Sequence, residues 1–302
     1  MLTLSPQTVD LWLWQFDESR PPIRSPHAKS REKSAPDKDR IERLKSLLTL
    51  EEQQYAAGLS QSALRLRWIE ARAGLRRILA AYLDGQIPIE RNGPAHSETD
   101  NRPNTQQPNP CPETRPDAQP SAQPEQLQIE RDPHGKPYLA TQDGKPHALQ
   151  FNLSHTSYWC AVVVAHQMAV GVDIEQPRAI SARLWPRVLT PAETAQIAAL
   201  PADEQTAAFL RSWTRKEALG KAEGRGVLPQ LGRTETGLHR LDGLLSIPLR
   251  SSETESKTWF LRELPARSST NPPTSPLVSP LLTGAIAASE PFQIVERDYG
   301  QL

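Results

Sequence analysis

The chain has 302 residues, of which 37% are hydrophobic and 23% are charged. These proportions are typical of a globular protein diluted with polar linkers, and the length suffices for two modest domains or one large one. Lys and Arg together number 35, as do Asp and Glu, so the overall charge favours neither nucleic acid nor a membrane as a partner. Any anionic ligand must therefore be bound by a local cluster of basic groups.

Cysteine usage and the start of the chain bear on the compartment. The two cysteines, Cys111 and Cys160, are too few for a disulfide framework and have no metal-ligand spacing. Residues 1–16 lack the basic start of a signal peptide and are interrupted by Asp10. No apolar run approaches the ~20 residues that cross a bilayer. We therefore expect a soluble, cytoplasmic protein.

Periodicity predicts the elements in chain order. Residues 8–16 alternate as a strand, with Val9, Leu11, Leu13 and Phe16 on one face and Trp12 and Trp14 on the other. Further strands are predicted at 149–153, 158–166, 169–174, 258–264 and 284–288, and helices at 61–83 and 203–223, with a helix start at Thr190. The strands at 149–174 are expected to be neighbours joined by tight turns.

Three polar, Pro-rich segments interrupt this pattern and are interpreted as disordered insertions. They cover residues 17–40, 88–124 and 265–280 and account for most of the 29 prolines. Such segments bury too little apolar surface to offset the entropy lost on ordering. The folded part is therefore expected to be well under 302 residues.

Two carboxylates end the strand Val170-Gly171-Val172-Asp173-Ile174-Glu175. Side chains two apart on a strand share a face, so Asp173 and Glu175 point together while Val172 and Ile174 pack behind them. Adjacent carboxylates repel each other, and oxygen ligands suit Mg²⁺, which would remove that repulsion. The alternative is a solvated strand end before Pro177.

A helical stripe carries the next candidates. Phe209, Trp213, Glu217 and Lys221 follow at successive i, i+4 positions, so the stripe begins aromatic and ends charged. A helix packed through its aromatic end would carry Glu217 and Lys221 to the rim of the same packed surface. The alternative is an ordinary Glu–Lys pair that contributes only ~0.3–0.5 kcal/mol.

Two shorter motifs suit phosphate binding. Asn152, Ser154 and His155 end a predicted strand and can donate hydrogen bonds to phosphate oxygens. Arg131 and Lys136 flank a turn set by Pro133 and Gly135, where they could hold an anion. The alternatives are a polar turn between strands and a plain basic turn. Gly220-Lys221 does not form a P-loop, because Arg215 and Ala222 replace the required residues.

Taken in order, GKPY, FNLSH, GVDIE and WTRKEALGKAEGRGV resemble the 4′-phosphopantetheinyl transferase superfamily of the Sfp (surfactin) type. The resemblance covers roughly residues 40–83 and 129–262. It implies an α+β pseudo-dimer of two similar halves, expected at 1–166 and 167–302, with coenzyme A in the cleft between them. A monomer is expected.

The resemblance also assigns roles to residues. Asp173, Glu175 and Glu217 match magnesium ligands, and Glu217, directly or through a water, is the candidate general base. Lys221 and His155 match groups that stabilise the departing phosphate. The remaining matches to coenzyme-binding residues are Arg131, Gly135, Lys136, Asn152, Ser154 and Asp173.

Arg72 and Arg76 match the family's N-terminal half. Relatives often place an arginine on the nucleotide 3′-phosphate near Tyr55, so the group that contacts this phosphate stays open. The resemblance thus implies Mg²⁺-dependent transfer of the phosphopantetheine arm of coenzyme A to a serine of an apo-carrier protein, with release of 3′,5′-ADP. A metal-dependent hydrolase of coenzyme A and a non-catalytic carrier-binding protein are the alternatives. The acceptor stays open among acyl and peptidyl carriers.

Overall fold

The computed structural model of the chain describes residues 4, 7–16, 38–85, 122–224, 231–238, 240, 243–250, 256–264 and 282–302. These residues form six α-helices, two four-stranded sheets and a two-stranded hairpin. Groups of strands and groups of helices follow one another along the chain, which makes the fold α+β. The fold class predicted from the sequence is confirmed at this level, while the pseudo-dimer stays a prediction.

The first sheet contains β1 (Thr8–Gln15), β4 (Leu149–His155), β5 (Trp159–His166) and β10 (Gln293–Arg297). The strand order is β10–β1–β5–β4, with β10 parallel to β1. Both faces of β1 are buried, with Trp12 and Trp14 in one core cluster and Val9 and Leu11 in another. Phe16 packs with the tryptophans rather than on the face of Val9, so its predicted side was wrong.

A long helix packs on the tryptophan side of this sheet, and two short helices pack on that helix. Their bounds are α1 Lys38–Ser46, α2 Leu50–Gly58 and α3 Ser62–Leu83. α3 confirms the helix predicted for 61–83, and it buries Leu75, Ile78 and Leu79 against the sheet. α2 begins with a capping box, in which the Thr49 hydroxyl accepts from the Glu52 N–H and the Glu52 carboxylate accepts from the Thr49 N–H.

The β2–β3 hairpin follows, with β2 at Ile129–Arg131 and β3 at Pro137–Leu139. Its turn confirms the one predicted at 131–138. Gly135 has φ of 90°, in the left-handed region that favours glycine.

The second sheet contains β6 (Val170–Glu175), β7 (Leu245–Arg250), β8 (Ser256–Glu263) and β9 (Thr283–Ala288), in the order β6–β9–β8–β7. Three helices precede β7, namely α4 Trp185–Val188, α5 Pro191–Ala198 and α6 Ala202–Glu223. A second capping box, between Thr190 and Glu193, confirms the helix start predicted at Thr190. α6 confirms the helix predicted for 203–223 and packs across β6 and β9.

The two sheets meet at a shared apolar core. Val163 of β5 belongs to the same buried cluster as Val172 of β6 and Ile286 of β9. Among the strands that the structure describes, β6 pairs only with β9 and has no ladder with β5, so the expectation that 158–166 and 169–174 are paired neighbours was wrong. The reason is that β6 is apolar on one face and carries its carboxylates on the other, and the apolar face packs against the first sheet.

The predicted insertions fall mainly outside the described residues. Residues 17–37, 88–121 and 265–280 lie outside them. The described ends of the first two segments adopt regular structure, since Lys38 begins α1 and Pro124 begins a 3₁₀ turn. Among the residues that the structure describes, no helix is both long and apolar enough to span a bilayer.

Substitution of Gly171 by alanine tests the contact between β6 and α6. A Cβ atom at Gly171 would clash with backbone atoms of Ala218 and Ala222, which cannot move without displacing the helix. We expect Gly171→Ala to lower the free energy of unfolding by about 1–3 kcal/mol, as overpacked cores do. Urea unfolding followed by circular dichroism measures the change.

Gly58→Ala is the matched control. Gly58 ends α2, and a Cβ atom added there would meet open space. We therefore expect alanine at this position to leave the free energy of unfolding unchanged or to raise it by less than about 1 kcal/mol. If both variants unfold at the wild-type urea concentration, the close approach of α6 to β6 is not a constraint on the fold.

Candidate active site

The site is built on the polar face of β6. Gly171, Asp173 and Glu175 share this face by strand alternation, while Val172 and Ile174 are buried in the core between the sheets. Because Gly171 has no side chain, α6 lies directly against the strand at this point. Asp173 and Glu175 are therefore presented along the side of the helix, as the sequence pattern predicts.

Asp173 is buried and only half satisfied. Its Oδ1 accepts from Lys221 Nζ at 2.7 Å and from the Ser154 hydroxyl at 3.0 Å. Its Oδ2 is buried without a hydrogen-bond partner. Burial raises the pKa of Asp173, although Lys221 and Ser154 oppose the shift.

Glu217 faces Asp173 from α6. Its side chain is 9% exposed, and its Oε1 is also buried without a partner. Burial raises the pKa of Glu217, and the charge of Asp173 raises it further, while Lys221 opposes the shift and Glu175 adds a smaller increase. The carboxylates of the strand and the helix therefore lie close enough to repel one another.

The rotation of α6 about its axis is fixed by the two residues before Glu217. Arg215 is fully buried and donates to Glu263 at 2.9 Å and to the Thr236 carbonyl at 2.8 Å. Lys216 is fully buried as well and donates to Glu193 at 2.5 Å. Because these two cations are held on other sides of the helix, Glu217 is directed towards β6.

Asn152 and Ser154 join the two sheets. β4 and β6 have no strand ladder, but Asn152 Oδ1 accepts from the Val172 N–H at 3.1 Å, and Ser154 Oγ accepts from the Ile174 N–H at 3.3 Å. Both side chains are buried and in effect extend the ladder across the gap. This bridging role was not predicted from the sequence, which placed the two residues on phosphate oxygens.

His155 lies at the exposed end of β4, with its ring edge-on to Phe16. Partial desolvation lowers its pKa, and the nearby cations Arg67 and Lys221 lower it further. At neutral pH the imidazole is therefore uncharged and has one N–H to donate. Arg67 of α3 was not singled out from the sequence, because a basic helix does not indicate which of its arginines faces the site.

The hairpin brings its basic residues to the C-terminal end of α6. Lys136 Nζ donates to the Ala222 carbonyl at 2.7 Å. Ala222 directly follows Lys221 in the chain. Arg131 instead closes its own turn by donating to the Gly135 carbonyl at 2.7 Å. Burial lowers the pKa of Lys136 to about 8, Asp132 opposes this shift, and Lys257 of β8 adds to it.

Three other residues that the family resemblance singled out make their contacts away from the carboxylates. Arg72 and Arg76 both bind Glu52 of α2, and Arg76 also donates to the carbonyls of Pro124 and Leu127, so these arginines tie helices and a loop together. Tyr55 is 60% exposed and packs on Trp68, with ring centroids 5.0 Å apart.

The donor set fits a divalent cation in part. In the described ranges no three His, Cys, Asp or Glu side chains are arranged so that they could hold a metal ion as they stand. However, Asp173 and Glu217 each have a buried oxygen without a partner, which a cation would satisfy. Glu175 is held only loosely, since Arg178 contacts its carboxylate at 3.5 Å. The two oxygens without partners are thus compatible with a cation.

Comparison with known proteins identifies the family of two adjacent stretches of the chain. Residues 169–266, which contain β6 and α6, match the family model described as the 4′-phosphopantetheinyl transferase superfamily. Residues 118–168, which contain the hairpin, β4 and β5, match the model for the N-terminal part of a 4′-phosphopantetheinyl transferase. Residues 118–266 thus belong to the 4′-phosphopantetheinyl transferase superfamily. The family resemblance predicted from the sequence is confirmed.

Similar members of the superfamily include three curated bacterial proteins. 4′-Phosphopantetheinyl transferase Sfp of Bacillus subtilis is 32% identical over 126 residues, which are 42% of this chain and 54% of that protein. HetI of a Nostoc species is 33% identical over 104 residues (34% and 44%), and AcpT of Salmonella typhimurium is 40% identical over 92 residues (30% and 46%). The chain therefore spans about half the length of the curated relatives it matches.

Removing the charge of Glu217 is expected to stabilise the protein when no metal ion is bound. Since the pKa of Glu217 is raised in the folded protein, the charged carboxylate costs stability at neutral pH. We expect Glu217→Gln to raise the free energy of unfolding by on the order of 1 kcal/mol. Thermal unfolding in the presence of a chelator measures it.

The stability gained by Glu217→Gln is expected to depend on pH. The wild-type carboxyl takes up a proton as the pH falls through its raised folded-state pKa, so the advantage of Gln should shrink on acidification. Glu204 lies exposed on the first turn of the same helix. Glu204→Gln should therefore change the free energy of unfolding by well under about 1 kcal/mol. A loss of stability in Glu217→Gln at neutral pH would mean that the carboxylate is satisfied in solution.

Proposed function

We propose that this protein transfers the 4′-phosphopantetheine arm of coenzyme A to a serine hydroxyl of an apo-carrier protein and releases 3′,5′-ADP. The observation that carries the proposal is the pair of partnerless buried oxygens, Asp173 Oδ2 and Glu217 Oε1, beside the ammonium of Lys221. Two carboxylates that each keep one oxygen without a partner, beside the ammonium of Lys221, suit a diphosphate bound together with a divalent cation.

Asp173, Glu175 and Glu217 are the proposed ligands of Mg²⁺. When bound, the metal would neutralise negative charge that builds on the diphosphate oxygens during transfer. Asp173 offers its free oxygen from β6, and Glu217 offers its free oxygen from α6. The rigid seating of both elements supports this assignment, since ligands held by packing lose little entropy on binding.

Glu217 is the proposed general base. Its raised pKa brings its proton affinity closer to that needed at neutral pH than an ordinary carboxylate has. In the proposed step the carrier serine oxygen bonds to the β-phosphorus as its proton passes to Glu217, directly or through a water. The bond from that phosphorus to the bridging oxygen breaks, and the electron pair leaves with 3′,5′-ADP.

Lys221 and His155 are proposed to stabilise the departing phosphate. Lys221 Nζ donates hydrogen bonds to Asp173 Oδ1 and to the Val172 carbonyl, so it is already held beside the carboxylate pair. His155 is proposed to donate one N–H as a neutral imidazole, because its pKa is lowered. Both groups act by hydrogen bonding and charge, without a covalent intermediate.

The other proposed coenzyme contacts come from β4 and the hairpin. Arg131, Gly135 and Lys136 are proposed to bind from the hairpin turn, and Asn152 through its amide nitrogen. For Ser154 to bind a phosphate its hydroxyl would have to release Asp173, to which it now donates. An apo-acyl or peptidyl carrier protein is the proposed acceptor, and the active unit is proposed to be a monomer.

Product analysis tests the transfer. The protein is incubated with coenzyme A and Mg²⁺, with and without an apo-carrier protein, and the carrier is weighed by mass spectrometry while 3′,5′-ADP is quantified. We expect the arm on the carrier and 3′,5′-ADP only when the carrier is present. Release of 3′,5′-ADP without a carrier would identify a hydrolase instead.

Variants in the same assay test the site. Loss of the base and metal ligand in Glu217→Ala is expected to lower kcat/KM at least about 100-fold. Glu204→Ala, at an exposed position of the same helix, should keep wild-type activity. Full transfer by Glu217→Ala would remove Glu217 from the mechanism.

Addition of metal to the chelator-treated protein gives a test that does not need turnover. A ligand that binds only the folded state raises the free energy of unfolding by RT ln(1 + [L]/Kd). We expect Mg²⁺ to raise the melting temperature of the wild type, and Asp173→Asn to require at least about tenfold more Mg²⁺ for the same rise. An identical Mg²⁺ response in Asp173→Asn and wild type would contradict the ligand assignment, and Asp203→Asn, exposed on α6, is the matched control.

A further inference from the structure

The segment that follows β9 leaves the second sheet and returns to the first. Ser289 fixes the point of departure, since its N–H donates to the Ala169 carbonyl at 2.9 Å and its Oγ accepts from the Ala169 N–H at 3.1 Å. Phe292 is buried in the core that the two sheets share. Beyond this anchor, residues 293–302, here termed the latch, lie along β1 and α3.

The latch begins with β10, a strand that buries little apolar surface. β10 pairs with β1 on one side and has no partner on the other side among the described strands. Ile294 and Val295 are half-buried, and Gln293 and Glu296 are exposed. A short edge strand with so little buried apolar area contributes little stability of its own. The attachment of β10 therefore depends on the other contacts of the latch.

A buried ion pair joins the latch to β1. Arg297 Nη2 lies 3.0 Å from Asp10 Oδ1 and 2.9 Å from Asp10 Oδ2, and the two side chains are 2% and 0% exposed. The Tyr82 hydroxyl of α3 donates to Asp10 Oδ2 at 2.5 Å, and Trp12 Nε1 donates to the Tyr82 hydroxyl at 3.1 Å. Burial raises the pKa of Asp10, while Arg297 and Tyr82 oppose the shift. Removing Arg297 would leave a buried carboxylate without this cation, which is strongly destabilising.

An aromatic contact closes the latch on α3. The Tyr299 ring stacks on Trp14 of β1, with ring centroids 4.5 Å apart and 16° between the ring planes. The Arg77 guanidinium of α3 lies 5.8 Å from the centroid of the Tyr299 ring. A Cβ atom at Gly74 of α3 would come within 2.8 Å of Trp14 and 3.3 Å of the Tyr299 hydroxyl. Tyr299 thus fills a slot between β1 and α3 that exists because position 74 is glycine.

Both contacts act on the helix that reaches the candidate site. Tyr82 and Arg77 lie in the second half of α3, and Arg67 lies in its first half. Arg67 is close enough to His155 to add to the effect of burial in lowering the pKa of His155. We propose that the latch is a conformational device that opens as one unit while the second sheet and α6 stay folded, and that its closure holds α3 against the first sheet.

Native-state hydrogen exchange in low urea tests whether the latch opens as a unit. A helix that loses its packing is only marginally stable, so the amides of residues 77–83 should exchange when the latch opens. We expect these amides and those of β10 to exchange through one shared opening, with a urea dependence below about half that of the α6 amides. If β10 and residues 77–83 exchange only in the global unfolding that exposes α6, the latch is not a separate unit.

Variants of the ion pair test what holds the latch closed. In Arg297→Gln we expect exchange through the shared opening to become at least about tenfold faster in the absence of urea, because Asp10 stays buried. Asp10→Asn combined with Arg297→Gln leaves two neutral groups that can hydrogen-bond, so exchange should return to within about threefold of the wild type. Arg187→Gln, at an exposed position of α4, is the matched control and should exchange as the wild type does.

Variants of Tyr299 test the aromatic contact and keep the proposal testable if Arg297→Gln does not fold. Tyr299→Ala empties the slot beside Trp14, so exchange of β10 and residues 77–83 should again become at least about tenfold faster. Tyr299→Phe keeps the stacked ring and should stay within about threefold of the wild type. Equal exchange in Tyr299→Ala and the wild type would mean that the latch does not close on α3.

Three results with the ion-pair variants would overturn the proposal. The first is faster exchange of β10 in Arg297→Gln without any change in α3. The second is a double variant that exchanges as fast as Arg297→Gln alone, and the third is the same acceleration in Arg187→Gln. No substrate enters these measurements, so the latch and the proposed transfer reaction stand or fall separately.

Discussion

Helix α6 lies against strand β6 at a distance that only glycine permits at position 171, since a Cβ atom there would overlap the backbone of Ala218 and Ala222. The contact sets the height of the helix over the sheet, and the buried cations Arg215 and Lys216 set its rotation. With both degrees of freedom fixed, Glu217 faces the polar side of β6. The carboxylate site is thus a consequence of backbone packing and not of local sequence alone.

This arrangement carries an electrostatic cost. Asp173 and Glu217 each keep a buried oxygen without a partner, and burial raises the pKa of both. By contrast, the buried acid Glu193 is fully paired, because it accepts from Lys216, Ser212 and Thr236. A chain that pairs one buried acid so completely and leaves two others half paired concentrates the cost where a ligand can relieve it.

Features that depend on nearby residues could be predicted from the sequence, whereas features that depend on contacts between distant segments could not. The capping box at Thr190, the alternation of β1 and the shared face of Asp173 and Glu175 depend on residues close in the chain, and the structure agrees with each. The placement of β6 in a second sheet and the return of β10 to the first depend on contacts between distant segments. The bridging role of Asn152 was missed for the same reason, since it acts across elements that the sequence does not order.

Two lysines hold together the elements around the end of α6. Lys221 Nζ binds Asp173 and the Val172 carbonyl of β6, while Lys136 Nζ of the hairpin binds the Ala222 carbonyl, near the partial negative charge of the helix terminus. An anion that draws Lys221 away leaves Asp173 without its only cationic partner among the described residues, which makes a metal ion more favourable there. By linkage, a cation on Asp173 releases Lys221 and so favours the anion equally. Under the proposed function, the pairing of Lys221 with Asp173 would therefore couple the two binding events, so that a metal and a phosphate ligand would each bind more tightly in the presence of the other.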